Sequence, residues 1–186
     1  MPMGVSEAIK KREAVRAYLD KQVSADDVAK VVEAGRWGPN AGPFQISVIR
    51  NPKLLEKIND LTHQAMVASE VEFLRERVAL PGYEPLYGAP VLIVMSAPGD
   101  APYSAFNAAV AAENMLLQAT ELGLGSCFLV SPRMVLAGDE NRSLAEEAGI
   151  PEDYVFQCAV IIGHAAAENK FQVRAREEKG TVRYVD

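Results

Sequence analysis

One segment limits the fold more than any other: residues 104–122, SAFNAAVAAENMLLQATEL. Ala, Leu, Met, Glu and Gln dominate it, the residues that lose least on entering a helix. Gly123 follows, where a left-handed turn closes a helix at no steric cost. Most directions around this helix are apolar, which predicts burial on several sides. Its alanines permit close helix-to-helix approach. It is therefore expected at the centre of the core, with a further face available to a subunit interface.

Short apolar stretches supply the sheet that such a helix packs on. PVLIVMS (residues 90–96) is continuously apolar between Gly88 and Pro98, the pattern of a buried central strand. FQCAVII (156–162) reads as a second, residues 126–130 as a short third, and QISVIR (45–50) as another. TVRYV (181–185) alternates like a strand after the polar reach 165–180. It is expected to pair either with an edge of its own sheet or with a second subunit. Helices are expected over residues 4–17 and from the N-cap Ser24, with Asp26 and Asp27 in the first turn, to just before Gly38-Pro39. A third starts at Asn51-Pro52, with Leu54, Leu55, Ile58 and Leu61 on one side, and another covers 144–148. Residues 66–85 mix helical and turn signals and end near Pro81-Gly82, which predicts a mobile flap. The elements alternate without regular βαβ units, so the fold class is α+β, in one domain over residues 1–186.

Composition excludes several functions. The 186 residues carry a net charge of −6, against nucleic acid as the main partner. No apolar run reaches the roughly 20 residues that cross a bilayer. The start lacks a secretory signal, and Cys127 and Cys158 are too few for a disulfide framework, so a reducing cytoplasm is expected. There is no phosphate-loop, GxGxxG or GxSxG motif. His63 and His164 sit in unrelated segments, with no metal-ligand spacing. Cys127 lies in an apolar strand, where a buried structural thiol is expected rather than a nucleophile.

Four short segments carry chemistry. Arg12 and Arg16, beside Lys10 and Lys11, stand four apart and share one face of the expected helix. Two guanidinium groups so placed either hold a phosphate by charge-assisted hydrogen bonds or form a solvated face, and Glu13 permits simple ion pairs. Gly38-Pro39-Asn40-Ala41-Gly42-Pro43 is either a plain turn or a place where a flat ligand meets the backbone, with the Asn40 amide on its edge. Gly123-Leu124-Gly125-Ser126 either ends a helix or brings backbone close to a ligand. Arg174 and Arg176 lie in the polar tail.

In this order the pieces resemble the nitroreductase family of FMN-dependent oxidoreductases. REAVRAY (12–18) resembles that family's RRSVRxY/F block, and GRWGPNAG (35–42) its A-x-x-AP(S/N)AG block. YGAPVLIV (87–94) resembles its APxxIV strand, and AAENMLLQATELGLGSC (111–127) its ENMLLAAxxLGLGSC stretch. The resemblance implies a nitroreductase-like fold. A mainly antiparallel central sheet is flanked by helices, and the C-terminal strand is exchanged between subunits of a homodimer through the extension 165–186. It implies FMN as cofactor and NAD(P)H as transient reductant. Hydride passes through flavin N5 to a nitroaromatic, a quinone or another flavin in ping-pong fashion, with no side-chain acid or base. Arg12 and Arg16 would meet the FMN phosphate and ribityl chain. Asn40, Ala41, Gly42 and Pro43 would approach the flavin or ribityl from the second subunit. The backbone of Val130 and Ser131 would face the ring edge near N5, and Arg174 or Arg176 would complete the phosphate site. Residues 66–85 would select the acceptor. Three departures stand out: Ala14 replaces a serine, Glu13 replaces a basic residue, and the loop after Gly42 is short, so that Asn40 or Gln45 would supply its amide. These departures motivate the alternative of a flavin-binding sensor, carrier or flavin-modifying protein without nicotinamide turnover.

Overall fold

In the computed structural model, residues 3–168, 171 and 180–185 are described. Four strands form one antiparallel sheet in the order β1-β2-β4-β3: β1 Gln45–Ile49, β2 Val91–Pro98, β4 Tyr154–Gly163 and β3 Gly125–Leu129. The two most apolar strands, β2 and β4, lie side by side in the middle, paired from Val91↔Ile162 to Pro98↔Tyr154. A register shift falls between Met95 and Ser96. Both faces of these strands are covered, which is why they read as apolar runs without alternation.

Alternation along the strands divides the core in two. Leu92, Val94, Ala159 and Ile161 belong with Leu54, Leu55 and Ile58 of α3 (Pro52–Val67) and with Leu144 of α7 (Arg142–Glu147). Val91, Ile93, Met95, Val160 and Ile162 belong with α2 (Ala25–Arg36) and α5 (Ser104–Glu121). Helix starts follow the capping rules. Ser24 Oγ accepts the Asp27 N–H at 3.0 Å, and Asn51 Oδ1 accepts those of Lys53 and Leu54 ahead of α3. Residues 66–85 hold α4 (Glu72–Val78) and then a turn at Gly82, with Val78 and Tyr83 buried. A short α6 (Arg133–Leu136) after β3 was not visible in the sequence.

Two expectations are corrected, and a third keeps one of its two alternatives. α1 spans Val5–Lys11 and stops there instead of running to residue 17. The chain turns extended at Arg12 and joins the outer edge of β3 through a parallel bridge, Ala14↔Ser126, and Val15 N–H donates to the Ser126 carbonyl at 2.9 Å. Pairing with the open sheet edge outweighs local helix propensity. α5 has one buried stripe, from Ser104 to Ala119, not burial all round. Its other side leaves Ala105, Phe106, Ala109 and Val110 exposed. Residues 181–185 form no strand within the chain, and Val182, Tyr184 and Val185 are exposed. A strand forms only against a neighbour, and none of the chain's own sheet edges receives this one.

Glycine is required where the N-terminal segment crosses the sheet. A Cβ at Gly163 would stand 2.7 Å from the Tyr18 ring and 2.8 Å from Pro90 Cδ, two rigid groups. Overpacking of this kind costs about 1–3 kcal/mol. Gly163→Ala is expected to lower the unfolding free energy by that amount, read as a lower urea midpoint at unchanged slope. An unaltered midpoint would show that Tyr18 moves aside freely.

Candidate functional site

The outer edge of β3 organises the site. Arg12, Ala14 and Arg16 fall on alternate positions of the extended stretch beside it, so the four-residue spacing that suits a helix face also suits one side of an extended chain. Arg12 and Arg16 are half-buried, whereas Glu13 is exposed. Arg12 Nε lies 3.6 Å from Glu113 Oε1 on the outer side of α5. Arg16 Nη1 donates to the Ala14 carbonyl at 3.4 Å. Ala14 contributes its backbone to the bridge with Ser126, a role that needs no hydroxyl.

Both arginines act on the Cys127 thiol of β3. Burial pushes this thiol up, and Arg16, Arg77 and Arg12 oppose the shift in that order. Burial alone pushes Cys158 up to about 12. Both cysteines are therefore poor nucleophiles, as buried structural thiols. Tyr18 is also raised well above its ordinary value, chiefly by burial; its hydroxyl donates to the Val15 carbonyl at 2.9 Å and fixes the turn after Arg16.

Two cavities flank Tyr18, and their charges differ. One, of about 320 Å³, is lined by Arg16, Tyr87 and Phe171 together with the carboxylates Glu84 and Glu168. The other, of about 510 Å³, carries Asp20, Glu56, Asp60 and Glu84 against one cation, Arg50.

At its far end β3 runs into an open surface. Phe128 and Val130 are 42% and 58% exposed, and Ser131 is half-buried ahead of α6. The edge thus offers cationic side chains at one end and exposed main chain with apolar cover at the other.

The loop at residues 38–43 stands apart. Asn40 Oδ1 accepts the Gly42 N–H at 2.8 Å, closing a local turn, and Ala41 N–H donates to Asn107 Oδ1 at 3.2 Å. Asn107 is six residues before Glu113, the residue beside Arg12, or about 9 Å along the helix. Asn40, Ala41 and Pro43 are exposed. Gln45 lies on β1, the opposite edge of the sheet, and its amide donates to the Gly149 carbonyl and to Ser47 Oγ. One chain therefore joins Arg12, Ala14 and Arg16 with β3, while Asn40, Ala41, Gly42, Pro43 and Gln45 remain a separate group. Arg174 and Arg176 lie outside the described residues. Sequence reading missed Asn107, Glu113 and Arg77. Their partners are far away in the chain, and only the Asn-and-Glu-bearing ENMLL block hinted that polar groups on α5 have a task.

Among the described residues no group of His, Cys, Asp or Glu is arranged to hold a metal ion. No helix among them is long and apolar enough to cross a membrane.

Comparison with known proteins bears on the family and the fold. The sequence profile of the nitroreductase family matches residues 9–164. A protein of Archaeoglobus fulgidus named "Putative NADH dehydrogenase/NAD(P)H nitroreductase" is 30% identical over 168 residues, 86% of this chain and 84% of its own. A crystal structure of a nitroreductase with bound FMN from Bacteroides fragilis superposes with a TM-score of 0.85 at 31% identity, covering 99% of this chain and 100% of that one. A second nitroreductase with bound FMN, from Desulfitobacterium hafniense, gives a TM-score of 0.88 at 22% identity over the whole of both chains, a likeness of fold.

Proposed function

This chain belongs to the nitroreductase family, and we propose that it is an FMN-dependent NAD(P)H oxidoreductase that works as a homodimer. The observation that carries this is the β3 edge, with Arg12 and Arg16 beside it and the exposed Val130 and half-buried Ser131 where it ends. The donor set fits FMN: planar guanidinium groups suit a phosphate dianion, and a flat ring needs an open backbone edge with apolar cover.

When bound, FMN would supply the hydride-transfer chemistry between NAD(P)H and a nitroaromatic or quinone that the side chains lack. The protein's part is positioning. Arg12 and Arg16 hold the phosphate and ribityl end. Ala14 keeps their backbone pinned to Ser126. The main chain of Val130 and Ser131 meets the ring edge. NAD(P)H and the acceptor use the same open face in turn, so neither needs a deep site of its own. Glu13 is exposed, whereas Arg12 and Arg16 are half-buried.

The second subunit completes the site. Asn40, Ala41 and Pro43 are exposed, Gly42 between them is half-buried, and all four lie apart from Arg12 in one chain, so they serve the flavin of the other. The exposed face of α5 and the exposed tail 181–185 support the same arrangement, with the tail exchanged as a strand. Residues 66–85, which expose Val67, Val71 and Phe73, select the acceptor.

Purified protein is expected to show a flavin spectrum that bleaches when NADPH or NADH is added without oxygen. A flavin that dithionite reduces and both nicotinamides leave oxidised would sink the reductase reading and favour a carrier or sensor.

A further inference from the structure

α4 is held mainly at one end. Of its seven residues only Val78 is buried, Leu74 and Arg77 are half-buried, and Glu72, Phe73, Arg75 and Glu76 are exposed. A helix this short does not persist in water by itself. Its order comes from the few side chains that tie it to the rest of the protein. Leu74 and Val78 are the apolar ties, packed into the core cluster that holds Leu54 and Ile58.

Arg77 is the polar tie. Its Nη2 donates to the Tyr87 hydroxyl at 3.1 Å. Its guanidinium carbon sits 5.3 Å from the centroid of the Tyr83 ring, within cation–π range. Arg75 behaves differently: it folds back on its own segment and donates to the Ser69 carbonyl at 2.6 Å. None of the ion pairs among the described residues involves Arg77, so its grip is on the two tyrosines.

Those tyrosines make a fixed post. Both are buried, and they pack edge to face with centroids 5.4 Å apart. Phe171, from the far end of the chain, lies against both, at 5.7 and 5.9 Å. Tyr87 has φ at 54°, a left-handed conformation that a non-glycine residue keeps only where its surroundings impose it. β2 begins soon after, at Val91. Arg77 thus fastens α4 to the entry of a central strand. Gly82 and Tyr87 also share a cavity wall with Arg16, which sets the post beside the segment that runs along β3. The other end of the flap has no such hold: Val67, Val71 and Phe73 are all more than half exposed.

Resting on the reading that residues 66–85 select the electron acceptor, we propose that Arg77 is a positioning residue for that selection. Its hold on Tyr87 and Tyr83 keeps α4 formed, and so keeps Val71 and Phe73 in place for a bulky aromatic acceptor to pack on. A larger ring system buries more apolar surface than a small one, so it depends more on a fixed α4.

Two measurements on the full-length flavin-loaded protein test this: amide hydrogen exchange, and steady-state turnover of 1,4-benzoquinone and 1,4-naphthoquinone. A hydrogen bond from a charged donor is worth ~10-fold or more in an equilibrium. Exchange of the amides of residues 72–79 reports local opening. Arg77→Met, which keeps the apolar stem, is expected to speed that exchange by ~10-fold or more and to leave β2 and β4 as in wild type. It should raise KM for naphthoquinone by about 3-fold or more, because only the fraction with α4 formed binds it well, while benzoquinone changes less than about 2-fold. kcat should stay within about 2-fold for both, the mark of a lost binding contact. Tyr87→Phe should act in the same direction, and Arg77→Lys should restore most of both effects. Unchanged exchange in α4 would overturn the inference, and so would exchange that rises equally in β2 and β4, the sign of a general brace. Loosened α4 with an unchanged ratio of the two KM values would overturn the selection role and leave the oxidoreductase reading intact. If Arg77→Met fails to fold, Tyr87→Phe decides by the same readouts. Wild-type protein that reduces neither quinone nor any nitroaromatic would sink that reading and this inference together.

Discussion

The double variant Arg12→Ala/Arg16→Ala is expected to purify colourless. A hydrogen bond to a charged group contributes about 1.5–3 kcal/mol, so losing two such contacts raises the FMN dissociation constant on the order of 10³-fold. The fold should survive, because the bridge at Ala14 and the Tyr18 hydrogen bond to Val15 use neither side chain. Circular dichroism and the thermal midpoint of the apoprotein therefore stay near wild type. Removing Arg12 also leaves Glu113 without the guanidinium 3.6 Å away, so a carboxylate then faces the phosphate end. That adds repulsion to the lost contacts, and added salt should recover part of the affinity by screening it. A double variant that still carries flavin at wild-type affinity would place the phosphate elsewhere and remove the basis for reading the β3 edge as the site.

Much of this was legible in the sequence because local rules decided it. Ser24 and Asn51 cap their helices as their side chains predict. VLIVMSA is apolar because β2 is covered on both faces, and the same holds for β4. The family blocks located the arginine pair and the loop at residues 38–43. What stayed hidden depends on distant partners. Nothing near Arg12 says that α1 must stop at Lys11; the reason is Ser126, more than a hundred residues away. Helix periodicity made residues 104–122 look apolar all round, because a face left exposed by one chain has the same composition as a face in a core. Arg77 carries no local mark at all. Its contacts are with Tyr83 and Tyr87 in the turn that follows.

The exposed face of α5 carries the other large expectation. Phe106 is 70% exposed and Val110 37%, each preceded by an exposed alanine, Ala105 and Ala109. Small residues beside a large aromatic let two such helices approach closely. On a two-fold axis each substitution is counted twice. Burying one such aromatic stabilises by about 1.5–3 kcal/mol, so losing both copies weakens a dimer on the order of 10²- to 10⁴-fold. Phe106→Glu tests this cleanly, since glutamate is the better helix former and the monomer keeps its secondary structure. Wild-type protein at micromolar concentration is expected to sediment at twice the 20.2 kDa chain mass, and Phe106→Glu at the mass of one chain. Flavin should leave with the partner, because Asn40, Ala41, Gly42 and Pro43 then reach no second site. A variant that stays dimeric would move the interface off α5. Wild-type protein that sediments as a monomer with its flavin bound would show that the β3 edge suffices alone, and the loop at residues 38–43 would revert to the turn that the Asn40 and Asn107 hydrogen bonds already make it.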